Sequence, residues 1–254
     1  MSCRLPLALL AVVAACGDER ALGAPEASPD ATRPAEVLLY SRTLGYRHTD
    51  AIAAAVPTLA ARLAAAGVTS LATEDPAVLT AGLAGARAVV FLYTSGDDLL
   101  DSDGRAALEA FVRGGGGWVG LHSAADTEYG WPFYQQLVVA PFASHPTIQP
   151  ATIDVEDRTH PAMAALPAGR WTQSDEWYDF GRQPRDVPGV RILATVDEMT
   201  YQGGMMGADH PIVWSHEHLG GRALYSALGH AGTRWEEPAF VTHVVEAVRW
   251  ALRD

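Results

Sequence analysis

Lysine is absent from all 254 residues, and cysteine occurs only twice, at Cys3 and Cys16. Without lysine the chain has no Schiff-base chemistry and no P-loop lysine to reach a phosphate. With both thiols in the first sixteen residues, the rest of the chain has no disulfide, no cysteine nucleophile and no thiolate zinc signature. Positive charge is scarce as well: 18 Arg stand against 30 acidic residues, a formal net charge of −12. Nucleic acid needs neutralising cations, so it is excluded as a partner. Long apolar runs are missing except at the start, no internal repeat follows, and no His-Glu-x-x-His helical zinc spacing occurs.

The first residues differ in kind from the remainder. Arg4 precedes an apolar run from Leu5 to Ala15 broken only by Pro6, too short to span a bilayer comfortably and laid out like an export signal. Val13-Ala14-Ala15 directly before Cys16 resembles a bacterial lipobox, which implies cleavage before Cys16 and lipidation of its thiol; the alternative is an ordinary signal peptide with an incidental cysteine. Residues 16–34, rich in Ala, Pro, Glu and Asp, read as a flexible tether. The expected organisation is a signal peptide over 1–15, the tether over 16–34 and one domain over 35–254. The mature chain, having lost one Arg and no acid, carries −13. Its expected place is the bacterial cell envelope, exported and lipid-anchored, with the anchor as its only membrane contact.

From Ala35 the chain alternates short apolar runs with helical stretches. Strands are expected at 37–40, 87–93 and 118–121, with helices at 49–66 and 102–113 between them, the second capped by Asp101 or Ser102. Buried strands separated by helices predict βαβ units and a parallel sheet. Later strands are expected at 151–156, 190–196, 211–215 and 221–228, the last two joined by a turn at Gly220-Gly221. A final helix over 238–252 buries Phe240, Val244, Val245, Val248 and Leu252 as one stripe.

The most informative stretch is Gly114 to Asp126, where an apolar strand runs straight into His122 and then into small residues. A strand that turns sharply into a helix lifts one side chain above the sheet edge; nucleophile-elbow enzymes place Ser or Cys there, and here the residue is imidazole. Imidazole binds metals, accepts protons and holds hydroxyls, but carries acyl groups poorly. His48 follows the first strand and His230 the last, so three imidazoles stand near strand ends, where open α/β sheets bind ligands. Tyr46 and Arg47 beside His48 are candidates to orient a polyhydroxylated or anionic ligand. The acids of the loop 94–98 are candidates to bind a sugar hydroxyl or to cap the next helix, and capping is the favoured reading.

Trp171 to Phe180 mixes Asp175, Glu176 and Asp179 with four aromatics. Carboxylates accept paired hydroxyl bonds and aromatic rings stack on the C–H face of a sugar, which makes the segment a carbohydrate candidate; buried aromatics beside solvated acids are the alternative. His145, His160 and His210 each precede a proline that fixes an extended turn. His216 and His218 alternate like metal ligands on a strand, but they adjoin the hairpin tip and are expected to be exposed.

Tyr46-Arg47-His48, Gly120-Leu121-His122-Ser123-Ala124, Ser144-His145-Pro146, Asp175-Glu176-Trp177-Tyr178 and Ala227-Leu228-Gly229-His230, in that order, resemble the ThuA-like (trehalose-utilisation) family over about residues 35 to 252. The resemblance implies an α/β fold of the flavodoxin-like, class I glutamine amidotransferase-like kind, a three-layer sandwich around a mostly parallel central sheet. In those amidotransferases an elbow cysteine attacks glutamine and a later histidine activates it. His122 stands where that cysteine would be and His230 near the activating histidine, so glutamine hydrolysis is not carried over. Members of the family are associated with disaccharide utilisation through 3-keto sugars.

The resulting expectation is a lipid-anchored protein that processes a disaccharide or its keto derivative as an isomerase, a hydratase or lyase, or a hydrolase. His48 or His122 would act as general base or metal ligand, Asp175 or Glu176 would bind hydroxyls or transfer a proton, and His230 would complete the pocket. Substrate contacts are expected from Tyr46, Arg47, Ser123, His145, Trp177, Tyr178, Asp209 and His210. A divalent metal is a candidate cofactor, with His48, His122 and His230 as its candidate ligands. The alternatives are a sugar-binding lipoprotein without catalysis and a structural partner in a surface complex.

Overall fold

The computed structural model describes residues 1–2 and 35–253. Nearly all of the expected signal segment, the lipidation site Cys16 and the tether lie outside the described residues. The first half of the domain runs β1 (Val37–Tyr40), α1 (Thr49–Ala65), β2 (Ser70–Thr73), α2 (Pro76–Gly82), β3 (Ala88–Leu92), α3 (Ser102–Arg113) and β4 (Gly117–Leu121). After a 3-10 turn at His122–Ala125 come α4 (Pro132–Val138), β5 (Phe142–Ser144), β6 (Gln149–Val155), β7 (Trp171–Asp175), β8 (Asp179–Phe180), β9 (Arg191–Asp197), β10 (Pro211–His216), β11 (Ala223–Ser226) and α5 (Pro238–Leu252).

Nine strands form one sheet in the order β2-β1-β3-β4-β11-β10-β9-β6-β7, and β5 pairs with β8 apart from it. The first five are parallel, and each later neighbour joins antiparallel. β1, β3 and β4 are buried along their whole length, as strands covered on both faces must be. Right-handed crossovers put α1 on one face and α2 and α3 on the other; α1 packs with α5, and α2 with α3. This is the flavodoxin-like layering, with an antiparallel half added beside β11.

Local chemistry accounts for the helix ends. Asp75 accepts the Ala77 N–H at 2.8 Å ahead of Pro76, which needs no partner at the first helical position. Asp101 accepts the Gly104 N–H at 2.8 Å and caps α3. The acids of the loop 94–98 do not cap that helix, contrary to expectation. Asp98 pairs with Arg105 instead, and Asp97 accepts the Gly130 N–H. The α5 stripe contains Phe240, Val244, Val248 and Leu252, with Val245 only partly buried and His243 fully so.

The expected exposure of His216 is corrected. β10 extends through it, and its ring is buried with Nε2 donating to the Leu137 carbonyl at 2.8 Å, while His218 stays outside. Among the described residues no helix is long and apolar enough to cross a membrane.

Candidate functional site

The parallel strands end on one side, and the loops that leave them supply three imidazoles. His48 lies between β1 and α1 as the residue preceding the helix; its ring makes no cap bond and is free to point elsewhere. His122 follows β4 directly with φ of 50°, a left-handed conformation that turns its ring off the strand and into the cluster. His230 follows β11 through Gly229, whose φ of 101° no side chain tolerates well; a Cβ there would stand 2.4 Å from the Phe240 ring.

The fourth member comes from the antiparallel half. β7 forms the far edge of the sheet, yet Asp175 at its end accepts the backbone N–H groups of Gly229 and His230, each at 3.0 Å. The edge of the sheet therefore curls back over β11, and Glu176 arrives beside the imidazoles. Glu176 Oε2 lies 3.2 Å from His122 Nε2, 3.1 Å from His230 Nδ1 and 3.8 Å from His48 Nε2. His122 Nε2 is itself 3.2 Å from His48 Nε2 and 3.3 Å from His230 Nδ1. One ligand atom from each residue falls within 4.8 Å of all the others.

Groups behind the cluster fix its orientation. His122 Nδ1 donates to the Ala227 carbonyl at 2.8 Å, which fixes the ring with Nε2 turned into the cluster. His48 Nδ1 is 3.3 Å from the Ser123 hydroxyl. Tyr178 packs its ring 4.4 Å from that of His122, and Tyr93 sits below, its hydroxyl donating to the Gly229 carbonyl at 2.7 Å. His48, His122 and Glu176 are buried, whereas the His230 side chain keeps 20% of its exposure and the His145 side chain 37%. Solvent thus reaches the cluster past His230 and His145.

Burial and ion pairing pull these groups in different directions. Burial alone would raise the Glu176 carboxyl, but bonds from His122, His230 and His48 hold it far below the usual carboxylate range. Burial pushes the His48 imidazole down against the opposing Glu176 bond. His230, less buried, is raised chiefly by its bond to Glu176.

The remaining expected residues divide. His145 joins the rim, Nε2 standing 3.3 Å from Glu176 Oε1, and Tyr46 sets its exposed ring edge-on to His48 with centroids 4.8 Å apart. Ser123 and Tyr178 are walls of the site. Asp175 is adjacent, but its oxygens are taken up by backbone N–H groups and the Gln173 amide. Arg47 is engaged with Glu74 at 2.7 Å, and Asp209 with Arg185. Trp177 is buried, its indole N–H bonded to the Gln149 carbonyl and its ring beside Tyr201, so it offers no face to a sugar. His210 donates Nε2–H to the Tyr178 carbonyl at 2.8 Å and places Nδ1 2.8 Å from Glu198. With Asp179, which accepts the Met205 N–H, these groups brace the loop behind Tyr178.

Sequence reasoning missed Tyr93 and the Ala227 carbonyl. Tyr93 lies at a strand end like the three histidines, with φ of 55°, but a tyrosine ending an apolar strand carries no signal of its own. A separate groove of about 350 Å³ lined by Trp171, Gln173, Arg234 and Phe240 contains none of the cluster residues.

Residues 36–251 match the profile of the ThuA family, described as trehalose utilisation. The chain belongs to the ThuA family. The ThuA assignment agrees with solved structures. A putative ThuA-like protein from Bacteroides uniformis superposes with a TM-score of 0.73 at 24% identity, covering 90% of this chain and 95% of the other. One from Parabacteroides merdae gives 0.68 at 20% identity, covering 87% and 90%. A cytoplasmic protein from Salmonella typhimurium gives 0.51 at 10% identity, covering 85% and 98%. At these identities the structures speak for the fold. No curated protein matches the sequence. The ThuA family's description points to a carbohydrate-related role.

Proposed function

We infer that this ThuA chain is an exported, lipid-anchored enzyme that processes a disaccharide or keto-sugar derivative at the His48, His122, Glu176 and His230 cluster. One observation carries the reading: four separate loops deliver three imidazoles and a carboxylate to a single point at the carboxyl ends of the parallel strands. Ligands of open α/β sheets bind at that edge, and a purely structural role would not need so many ionisable groups pressed together out of water. Imidazoles beside a bound keto sugar suit proton transfer next to its carbonyl, as isomerisation, hydration or elimination requires. His145, His230 and Tyr46 occupy the open side and are the residues placed to meet the sugar first. The resemblance to a lipobox before Cys16 supports anchoring, and an acidic chain without lysine supports a small-molecule partner.

The noncatalytic alternative draws less support from the geometry. A sugar-binding protein relies on several exposed aromatic faces, and here Trp177 and Tyr178 are buried while Tyr46 is the exposed ring beside the cluster. The test is turnover: the purified chain is incubated with disaccharides and their 3-keto derivatives, products are followed by mass spectrometry, and His122→Ala is compared with wild type. Conversion lost in the variant is expected; sugar binding with no conversion of any substrate favours the noncatalytic reading. Anchoring is tested by fractionation, with Cys16→Ala expected to leave the membrane fraction.

A further inference from the structure

We propose that His48 Nε2, His122 Nε2, His230 Nδ1 and Glu176 Oε2 form a preorganised site for one divalent first-row transition-metal ion, of the class that zinc represents. The inference rests on the reading of this cluster as the working site and deepens it by naming the cofactor class and the fourth ligand.

Edge lengths decide between a central ion and direct hydrogen bonds. A four-coordinate ion with ligands at about 2.0–2.1 Å has ligand atoms about 3.3–3.4 Å apart along the edges of the tetrahedron. Five of the six edges here are 3.1, 3.2, 3.2, 3.3 and 3.8 Å, and the sixth, between His48 and His230, is within 4.8 Å. Direct hydrogen bonding explains these contacts less well. A ring nitrogen offers one lone pair or one N–H, yet His122 Nε2 faces His48 Nε2 at 3.2 Å, Glu176 Oε2 at 3.2 Å and His230 Nδ1 at 3.3 Å, so a direct hydrogen bond satisfies only one of these three contacts. One central cation satisfies all four atoms together.

The groups behind the imidazoles have the form such sites use. A metal-bound imidazole commonly donates its other N–H to a carbonyl or hydroxyl, which fixes the tautomer and the ring. His122 has the Ala227 carbonyl, and His48 has the Ser123 hydroxyl. Imidazole with one carboxylate suits zinc, iron and nickel better than magnesium or calcium, which prefer all-oxygen shells. Three ligands are buried and His230 is half open, so a further coordination position faces solvent beside His145. A carbonyl or hydroxyl oxygen of the keto sugar is the substrate group that position would take.

The test uses the full chain, free of any tag and stripped with chelator. Zinc, cobalt and magnesium ions are titrated in separate arms, and bound metal, melting temperature and the cobalt visible spectrum are recorded. One zinc or cobalt ion per chain, a melting temperature that rises with metal, and affinity at least tenfold weaker in both Glu176→Gln and His230→Ala support the site. His230→Ala changes a partly exposed residue, and circular dichroism verifies the fold of each variant. A folded wild type that binds neither zinc nor cobalt, or that binds them undiminished in both variants, overturns the proposal. Sugar turnover that survives chelation in metal-free protein overturns this inference alone; stoichiometric metal with no turnover of any sugar overturns the enzymatic reading and leaves the metal site standing.

Discussion

Asp175 holds the backbone N–H of His230 at 3.0 Å with one carboxylate oxygen and that of Gly229 at 3.0 Å with the other, so a residue outside the imidazole cluster fixes where the third ring stands. The same carboxylate accepts the Glu176 N–H and thereby aligns two cluster members at once. Asp175→Asn replaces one acceptor with an NH2 group that must face a backbone N–H. The expected loss is about 1–3 kcal/mol of unfolding free energy, read from urea denaturation. An unchanged midpoint would show that the carboxylate is not what ties the edge strand to the β11 loop.

His122 provides a second test because its φ of 50° lies where β-branched residues are strained and asparagine is tolerated. His122→Asn and His122→Val both remove the ring, and only Asn can still donate toward the Ala227 carbonyl. The valine variant is expected to be less stable than the asparagine variant by about 1–2 kcal/mol. Equal stabilities in thermal melts would argue that the elbow relaxes when imidazole is gone.

The parallel half of the sheet was legible because β1, β3 and β4 are continuous apolar runs between helices with recognisable ends. β2, α2 and α4 were not: Ser70–Thr73 is a largely exposed edge strand with no apolar run, and both helices have only seven residues. The convergence of His48, His122 and His230 followed from their positions at strand ends, since a parallel sheet brings those ends to one side. The role of Asp175 could not be read, because it depends on the antiparallel half curling back, which no local pattern encodes. Trp177 illustrates the same limit from the other direction: an aromatic among acids looks like a sugar platform until packing against Tyr201 removes its face. His216 misled similarly, because β10 continues through it into the sheet and its partner, the Leu137 carbonyl, is distant in sequence.

Tyr93 supports the site from beneath. Its hydroxyl donates to the Gly229 carbonyl at 2.7 Å and accepts the Trp235 indole N–H at 2.9 Å, and burial pushes its own ionisation far upward. Tyr93→Phe leaves a buried acceptor and a buried donor unmatched. The expected cost is about 2 kcal/mol or more. Chemical denaturation followed by tryptophan fluorescence checks it, and a loss below measurement error would mean that water replaces the hydroxyl.

His243 gives the chain a predictable acid sensitivity away from the site. It is fully buried on α5, its Nδ1 donates to the Ala162 carbonyl at 2.8 Å, and its Nε2 meets the Ser226 hydroxyl at 3.0 Å. The carbonyl can only accept, so Nδ1 carries the proton of the neutral ring and Nε2 accepts from the Ser226 hydroxyl, while a second proton would put a charge where no water reaches. Burial accordingly holds the imidazole at about 4, against 6.5 for the free group. The unfolded chain therefore takes up a proton before the folded one does. The contribution is complete above about pH 6.5, falls as the pH drops and is spent near pH 4, a total of about 3 kcal/mol. His243→Gln can keep both hydrogen bonds without titrating. It is expected to be less stable than wild type at neutral pH, with a gap that narrows toward pH 4. Taking the difference between the two proteins cancels the protonation of carboxylates and the parallel effects of His160 and His216, also held near 4. Denaturation midpoints of both proteins across this range decide the matter, and a gap independent of pH would mean that His243 titrates alike in the folded and unfolded chains.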